Sequence, residues 1–482
     1  MRARNVLLFS AAWVATAGLA YLGTGLHPVW WSLWLAPVPV LAIATRLGRG
    51  AAFLLASSAW LIGALNEWNY FRHAIEIPLP LIVIALLVPS LVFGLCVLFA
   101  RSFLQRGSVF LGALAFPVSR VAYEYLVEIG SPNSTFGNLG YTQMDGLPII
   151  QIASVTGIWG ISFVVFLFAG TIAALLSGTG KPGQRGALAV MAGILLCALF
   201  LFGEWRLSSH PVAPSVTVTL MAKDVPMSIY LGSEEQALKL LGEYADEVRR
   251  ATPAETQVVV LPEKIARVSE SNLSKVDALF ASAAAARHVA IDLGVVRKTA
   301  NGAYNSARFY SSEGKLVANY DKHHLVRIEP EKPGDKRVVL NQPSGRWGLQ
   351  ICKDMDFPQL SRQYANEDAN LLLVPAWDFG VDRWLHSRMA VLRAVEDGFA
   401  LARSARYGLL TLSDNRGRIL AQAATAPGRF VVLTGRLNVE DARTFYTRTG
   451  DWFGWACVGA LIILLVARFL WLTKPRVAAP PD

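Results

Sequence analysis

WGLQICKDMDFPQL, residues 347–360, is a short apolar strand running directly into a charged turn, with Cys352 at the junction. Working outward, NLLLVPA (370–376) is a second apolar strand, and 384–400 has the spacing of an amphipathic helix. Upstream, VTVTLMA (216–222), TQVVVLP (256–262), VAIDLGVV (289–296) and ARFYSS (307–312) read as further strands. Amphipathic helices fall at 233–250 and 271–287 between them. Strands alternating with helices predict α/β layers around mixed or parallel sheets, and continuous apolar strands predict sheets covered on both faces.

The rest of the chain has another character. Hydrophobic residues make up 53% of the 482 and charged residues only 17%, too apolar a balance for an ordinary soluble protein. Apolar runs long enough to cross hydrocarbon as helix fall near 5–24, 29–45, 50–66, 78–100, 109–127, 149–176, 187–203 and 453–472. The first lacks a clear cleavage site and reads as retained. The predicted organisation is a membrane region of about seven helices over 1–210, a catalytic domain over 213–445 and a last span over 450–474.

Basic residues collect on alternate loops. Arg2 and Arg4, Arg46 and Arg49, Arg101 and Arg106, Lys181 and Arg185, and Lys474 and Arg476 mark one side. The opposite short loops carry only Arg72, and 128–148 has no Lys or Arg. By the positive-inside rule both termini are cytoplasmic and the α/β domain is outside. Much of the +10 formal charge therefore sets topology, which argues against a nucleic-acid partner. Trp30, Trp31 and Trp34 read as an interfacial belt, while Arg120 and Glu124, four apart in a span, read as an ion pair or a head-group contact.

Three reactive residues end strands in the polar part. Glu263 follows VVVLP, Lys322 follows LVANYD, and Cys352 ends WGLQI. Of the four cysteines, Cys96, Cys197 and Cys457 lie in apolar runs, so Cys352 has no evident disulfide partner. A thiol, a carboxylate to take its proton and an ammonium to stabilise an oxyanion form a plausible nucleophile set. Residue chemistry alone would not choose this triad from the many Glu and Lys side chains.

A resemblance does choose it. LPEK (261–264), FYSSEGKLVANYDKHHL (309–325), GLQICKDMDFPQL (348–360) and YANEDANLLLVPAWDFG (364–380) are similar to motifs of the nitrilase, or carbon–nitrogen hydrolase, superfamily. The resemblance implies an αββα sandwich with Glu263 as general base, Lys322 as oxyanion stabiliser and Cys352 as nucleophile. The many spans, with 136–165, 384–409 and 445–455, resemble the apolipoprotein N-acyltransferase family within it. That implies acyl transfer from a phospholipid, through a Cys thioester, to the amine of a diacylglyceryl apolipoprotein in a bacterial inner membrane. Neither a cofactor nor a metal is implied, and a monomer is the expectation. His323 and His324 show no zinc-ligand spacing.

The chain departs from that pattern in places. Lys353 and Asp354 stand where the family has an aromatic residue and a Glu. Glu329 and Glu331, in VRIEPEKPGDK (326–336), are both candidates for the family's second Glu. Trp377 is a candidate for lining an acyl pocket and equally for the core. The alternative function is a membrane-tethered amidase or nitrilase using water as second nucleophile. A non-enzymatic scaffold would not need the triad, and a transporter would leave the large polar domain unexplained.

Overall fold

The computed structural model describes residues 2–209, 212–441 and 443–473; Lys474, Arg476 and the AAPPD tail lie outside them. The chain divides into two compact units, one of 1–132, 137–204 and 451–482, the other of 133–136 and 205–450.

The first unit is helical. Among the described residues six helices are long and apolar enough to cross a membrane: Arg4–Gly23, Leu79–Leu104, Val109–Gly130, Ile158–Leu176, Pro182–Ser208 and Trp452–Leu470. The apolar run 29–45 is split into helices Ser32–Leu35 and Val38–Ala44, with Pro37 at the break. Proline lacks the N–H that a continuous helix needs there. The run 149–176 is interrupted at Gly157, whose φ of 65° is open to glycine; only Ile158–Leu176 continues as a long helix. Small residues let the helices approach closely, so that a Cβ on Gly63 would lie 2.5 Å from the Ala20 Cβ. Trp60 stacks on Phe93 at 4.2 Å. Arg120 and Glu124 face each other at 3.5 Å, both buried, with the guanidinium between the Trp60, Tyr123 and Phe166 rings.

The second unit is built on two sheets. Strands β1 (Ser215–Lys223), β2 (Val258–Val260), β3 (Arg267–Ser269), β4 (Ala290–Thr299), β5 (Gly302–Tyr310) and β6 (Leu316–Asp321) belong to the first. The second holds β7 (Val339–Gln342), β8 (Gly345–Leu349), β9 (Leu371–Trp377), β10 (Ala400–Arg406), β11 (Leu409–Ser413) and β12 (Ile419–Ala424). The chain then returns to the first sheet as β13 (Phe430–Asn438). The orders are β13-β1-β2-β4-β5-β6, with β3 beside β4, and β12-β11-β10-β9-β8-β7. The central pairs β1 with β2, β2 with β4, β8 with β9 and β9 with β10 are parallel.

The sheets pack face to face. Val218, Leu220 and Val260 of one meet Leu371, Leu373, Ala402 and Leu412 of the other in a single apolar core. Helices Glu234–Ala251 and Glu270–Arg287 cover the outer face of the first sheet through Leu241, Val248, Val276 and Phe280. Ser233 caps the first of them with a capping box to Gln236, and His288 in the left-handed region ends the second. On the far side, helix Arg383–Asp397 packs on β10 and β11. The result is an αββα sandwich.

Candidate active site

The reactive side chains lie just past the ends of β2, β6 and β8. Three residues beyond β2, Glu263 is 2% exposed. Its backbone N–H donates to the Ala376 carbonyl of β9 at 3.2 Å, which ties the first sheet's loop to the second sheet. Gly294 permits this approach, because a Cβ there would sit 2.2 Å from the Pro262 carbonyl oxygen and 2.8 Å from the Glu263 Cα. Lys322 directly follows β6, and its N–H donates to the Asn305 carbonyl at 2.8 Å.

Glu263 and Lys322 form a buried ion pair, Nζ to Oε1 2.8 Å. The same oxygen accepts from Asn305 Nδ2 at 2.6 Å. Lys322 Nζ also reaches both Glu329 oxygens at 3.2 Å. Burial works against the charge on Lys322, but Glu263 and Glu329 outweigh it and hold its pKa well above the ordinary value. Glu329, despite burial, is held below its ordinary value by Lys322 and Lys264.

Cys352 opens a tight 3-10 turn, Cys352–Asp356, just past β8. Its φ of 45° is a left-handed conformation unusual for a non-glycine residue and of the kind found at functional sites. Its half-buried thiol points at the Trp377 carbonyl, Sγ to O 3.6 Å. Burial and the Glu263 charge push the thiol well above its ordinary pKa, while Lys322 and Arg403 pull the other way. The resting sulfur is a neutral thiol within the electrostatic reach of both Glu263 and Lys322.

The remaining candidates fall into different places. Glu329 faces Lys322, whereas Glu331 does not; its Oε2 pairs with Lys264 Nζ at 2.9 Å. Lys353 donates to Asn133 Oδ1 at 2.9 Å and the Leu325 carbonyl at 3.3 Å, and burial lowers its pKa. Asp354 is fully buried and serves as a clasp. Its Oδ2 accepts from Tyr320 Oη at 2.6 Å and the Ile351 N–H at 3.1 Å. Its Oδ1 accepts from the His323 and His324 N–H groups at 3.1 and 2.8 Å. The residues after Lys322 and the turn bearing Cys352 are thereby joined through one side chain. The half-buried Trp377 ring lies under the Arg406 guanidinium at 4.0 Å and edge-on to Tyr230 at 5.2 Å.

Several participants have no local sequence signal. Asn305 lies inside β5, and only a polar residue in a buried strand hints at it. Arg403 and Asp378 form a buried bidentate pair, 2.5 and 3.0 Å, whose charges act on the thiol. Lys264 stands next to Glu263 in the quoted LPEK motif, yet nothing in that spacing says where it points.

Residues 16–171 match the apolipoprotein N-acyltransferase N-terminal domain family, and residues 225–445 match the carbon–nitrogen hydrolase family. An apolipoprotein N-acyltransferase of Geobacter metallireducens is 27% identical over 390 residues, covering 73% of this chain and 74% of that protein. One of Haemophilus ducreyi is 24% identical over 470 residues, covering 88% of this chain and 90% of that protein. Among solved structures, an amidase from Nesterenkonia sp. is 22% identical with a TM-score of 0.40, over 48% of this chain and 93% of that one.

Proposed function

We propose, since this chain belongs to the apolipoprotein N-acyltransferase family, that it moves an acyl chain from a phospholipid to the α-amine of a diacylglyceryl-cysteine lipoprotein by way of a thioester on Cys352. The observation that carries the reading is the buried pairing of Glu263 with Lys322 at the strand ends where the neutral Cys352 thiol sits.

Glu263 takes the thiol proton as sulfur attacks the ester carbonyl carbon. Lys322, kept cationic by its carboxylate neighbours, receives the developing oxyanion, helped by a backbone N–H. The carbonyl re-forms, the C–O bond to the glycerol breaks, and the lysophospholipid leaves with the proton from Glu263. The lipoprotein amine then attacks the thioester carbon and gives its proton to Glu263. The C–S bond breaks, and the sulfur recovers a proton. Each half leaves the enzyme as it began, so ping-pong kinetics follow.

The domain over 213–445 carries the chemistry. The six membrane-length helices would anchor the chain in the bilayer that contains both acylated substrates. The distribution of Lys and Arg supports a bacterial inner-membrane location with this domain on the periplasmic side. Hydrolysis of a small amide is not favoured, because the relatives matched over both units are named acyltransferases.

Incubation of the purified protein with phospholipid alone, followed by peptide mass spectrometry, tests the reading. A fatty-acyl mass, labile to hydroxylamine, is expected on the Cys352 peptide. It should be absent in Cys352→Ala, which should also fail to N-acylate a diacylated lipopeptide while remaining folded. Lipopeptide acylation by Cys352→Ala would overturn the mechanism.

A further inference from the structure

Lys264 lies one residue beyond the proposed base, in the left-handed region at φ 50°. A lysine gains nothing intrinsically from that conformation, so its surroundings must hold it there. The Arg406 guanidinium donates to the Lys264 carbonyl at 2.9 Å, and the Ile265 N–H donates to the Gly294 carbonyl at 2.9 Å. Arg406 is itself buried against Trp377. This kink sends consecutive side chains to different partners. Glu263 goes to Lys322, while Lys264 goes to Glu329 at 2.6 Å and to Glu331 at 2.9 Å. The five groups form one buried chain of alternating sign: Glu263, Lys322, Glu329, Lys264, Glu331.

Glu329 and Glu331 lie on the loop 326–336, which has little regular structure of its own. The loop is pinned at its far end by the Gly334 N–H to the Lys322 carbonyl at 2.8 Å. Near Glu329 itself, the Val326 N–H donates to Oε2 at 2.7 Å. Without Lys264, Glu329 would keep Lys322 and one backbone donor, while Glu331 would be a buried carboxylate with no cation in contact. A buried carboxylate in that position is costly, and the loop would move to relieve it.

We propose that Lys264 is a positioning residue that locks the Glu329 loop onto Lys322 and so fixes the direction of the Lys322 ammonium toward the oxyanion. The inference rests on the acyl-transfer reading. Lys264 touches no reacting atom and acts through Glu329. The charged and titratable groups around the two are Glu263, Lys322, Glu331, Tyr230 and, further off, Lys353.

The test is single-turnover thioester formation on Cys352, with the full-length protein in mixed micelles of a dioleoyl phosphatidylethanolamine, for wild type, Lys264→Met and Lys264→Arg across pH. Lys264→Met should slow thioester formation roughly ten- to hundredfold at saturating lipid, since small misplacements at a reacting centre have effects of that order. The lipid concentration for half-saturation should change little. Lys264 is one of two cations holding Glu329 in its ionised form, so its removal lets Glu329 protonate at higher pH. The acid limb of the rate profile should then move toward neutrality, and Lys264→Arg should restore it. A purely structural lysine would lower the melting temperature without moving that limb. If wild type forms no thioester, the acyl-transfer reading itself fails. If wild type forms it and Lys264→Met matches its rate and pH profile, the positioning role is overturned. Glu331→Gln guards against misfolding of the Met variant. It keeps Lys264 but removes its second anchor, so it should slow thioester formation by a smaller factor, while loss of the neighbouring negative charge leaves the acid limb in place or moves it away from neutrality; an unchanged rate, or a limb moved toward neutrality, would also count against the lock.

Discussion

Replacing Asp354 by Ala should cut the tie between the two halves of the active site. The Asp354 carboxyl, 0% exposed, accepts from Tyr320 Oη and from the N–H groups of Ile351, His323 and His324. The His324 ring nitrogen lies 3.3 Å away as well. Alanine would leave three backbone donors and a buried hydroxyl unsatisfied. Each such loss costs about 1–3 kcal/mol, and local relaxation recovers part of the total, so a net loss of roughly 3–5 kcal/mol is expected. For a domain of this size that corresponds to a fall in melting temperature of about 6–20 °C. Asp354→Asn should cost less. With its NH₂ placed toward Tyr320, whose hydroxyl can turn to accept, chiefly the Ile351 donor is stranded. Differential scanning fluorimetry in detergent, with thioester formation measured on the same samples below the transition, gives both readouts. Activity should fall in both variants even where they remain folded, because the segment after Lys322 and the turn bearing Cys352 are no longer held in register. A melting temperature for Asp354→Ala within a degree or two of wild type would refute the clasp.

Three further outcomes follow from the geometry. Burial and Glu263 hold the Cys352 thiol high, so iodoacetamide should modify the Cys352 peptide slowly at neutral pH compared with a free thiol of pKa about 8.5. Glu263→Gln removes a charge that raises the thiol pKa and should speed alkylation at fixed pH, whereas Lys322→Met removes one that lowers it and should slow it; opposite signs would contradict the arrangement. Asn305→Ala deletes the 2.6 Å donor to Glu263 and should slow thioester formation about tenfold or more while the protein stays folded. Gly294→Ala would drive a Cβ into the Pro262 carbonyl and the Glu263 backbone, which cannot swing aside as a side chain could; a loss of about 1–3 kcal/mol, measured as a lower melting temperature, should accompany lost activity.

Cys352, Glu263 and Lys322 could be singled out as candidates because each follows a strand and because their flanking motifs resemble those of a known family. Two outer helices were legible from their periodicity, the expectations at 233–250 and 384–400 comparing with Glu234–Ala251 and Arg383–Asp397; the third, expected at 271–287, lies at Glu270–Arg287 although its apolar residues have almost no helical period. Strands β11 to β13 were not, although DNRG (414–417) and PG (427–428) mark the turns between them; ILAQAA is rich in alanine, which is depleted in strands. The broken apolar runs show the limit of counting hydrophobic residues, because Pro37 and Gly157 interrupt helices inside stretches that satisfy any length test. Asp354 was visible as a departure from the family pattern, but its role was not: most of its partners are backbone N–H groups, which every residue type supplies. Glu329 and Glu331 could not be ranked, since being two residues apart on an irregular loop does not fix which faces Lys322.

Charge accounting explains why the proposed chemistry needs its base and cation in contact. The resting chain of Glu263, Lys322, Glu329, Lys264 and Glu331 holds three carboxyl groups against two ammonium groups. A thiolate formed in advance would add another negative charge to a buried site, and the raised thiol pKa reflects that cost. Concerted attack avoids it. As the proton passes to Glu263, that carboxylate becomes neutral at the moment the substrate carbonyl becomes an oxyanion. The total charge is conserved, and Lys322 exchanges one anionic partner for another without moving far. Glu329 is the fixed point of the exchange, since it keeps Lys322 cationic while Glu263 is protonated. Glu329→Gln should therefore impair the transition state more than lipid binding, lowering the maximal rate of thioester formation with little change in half-saturation. An effect confined to half-saturation would place Glu329 outside this charge exchange.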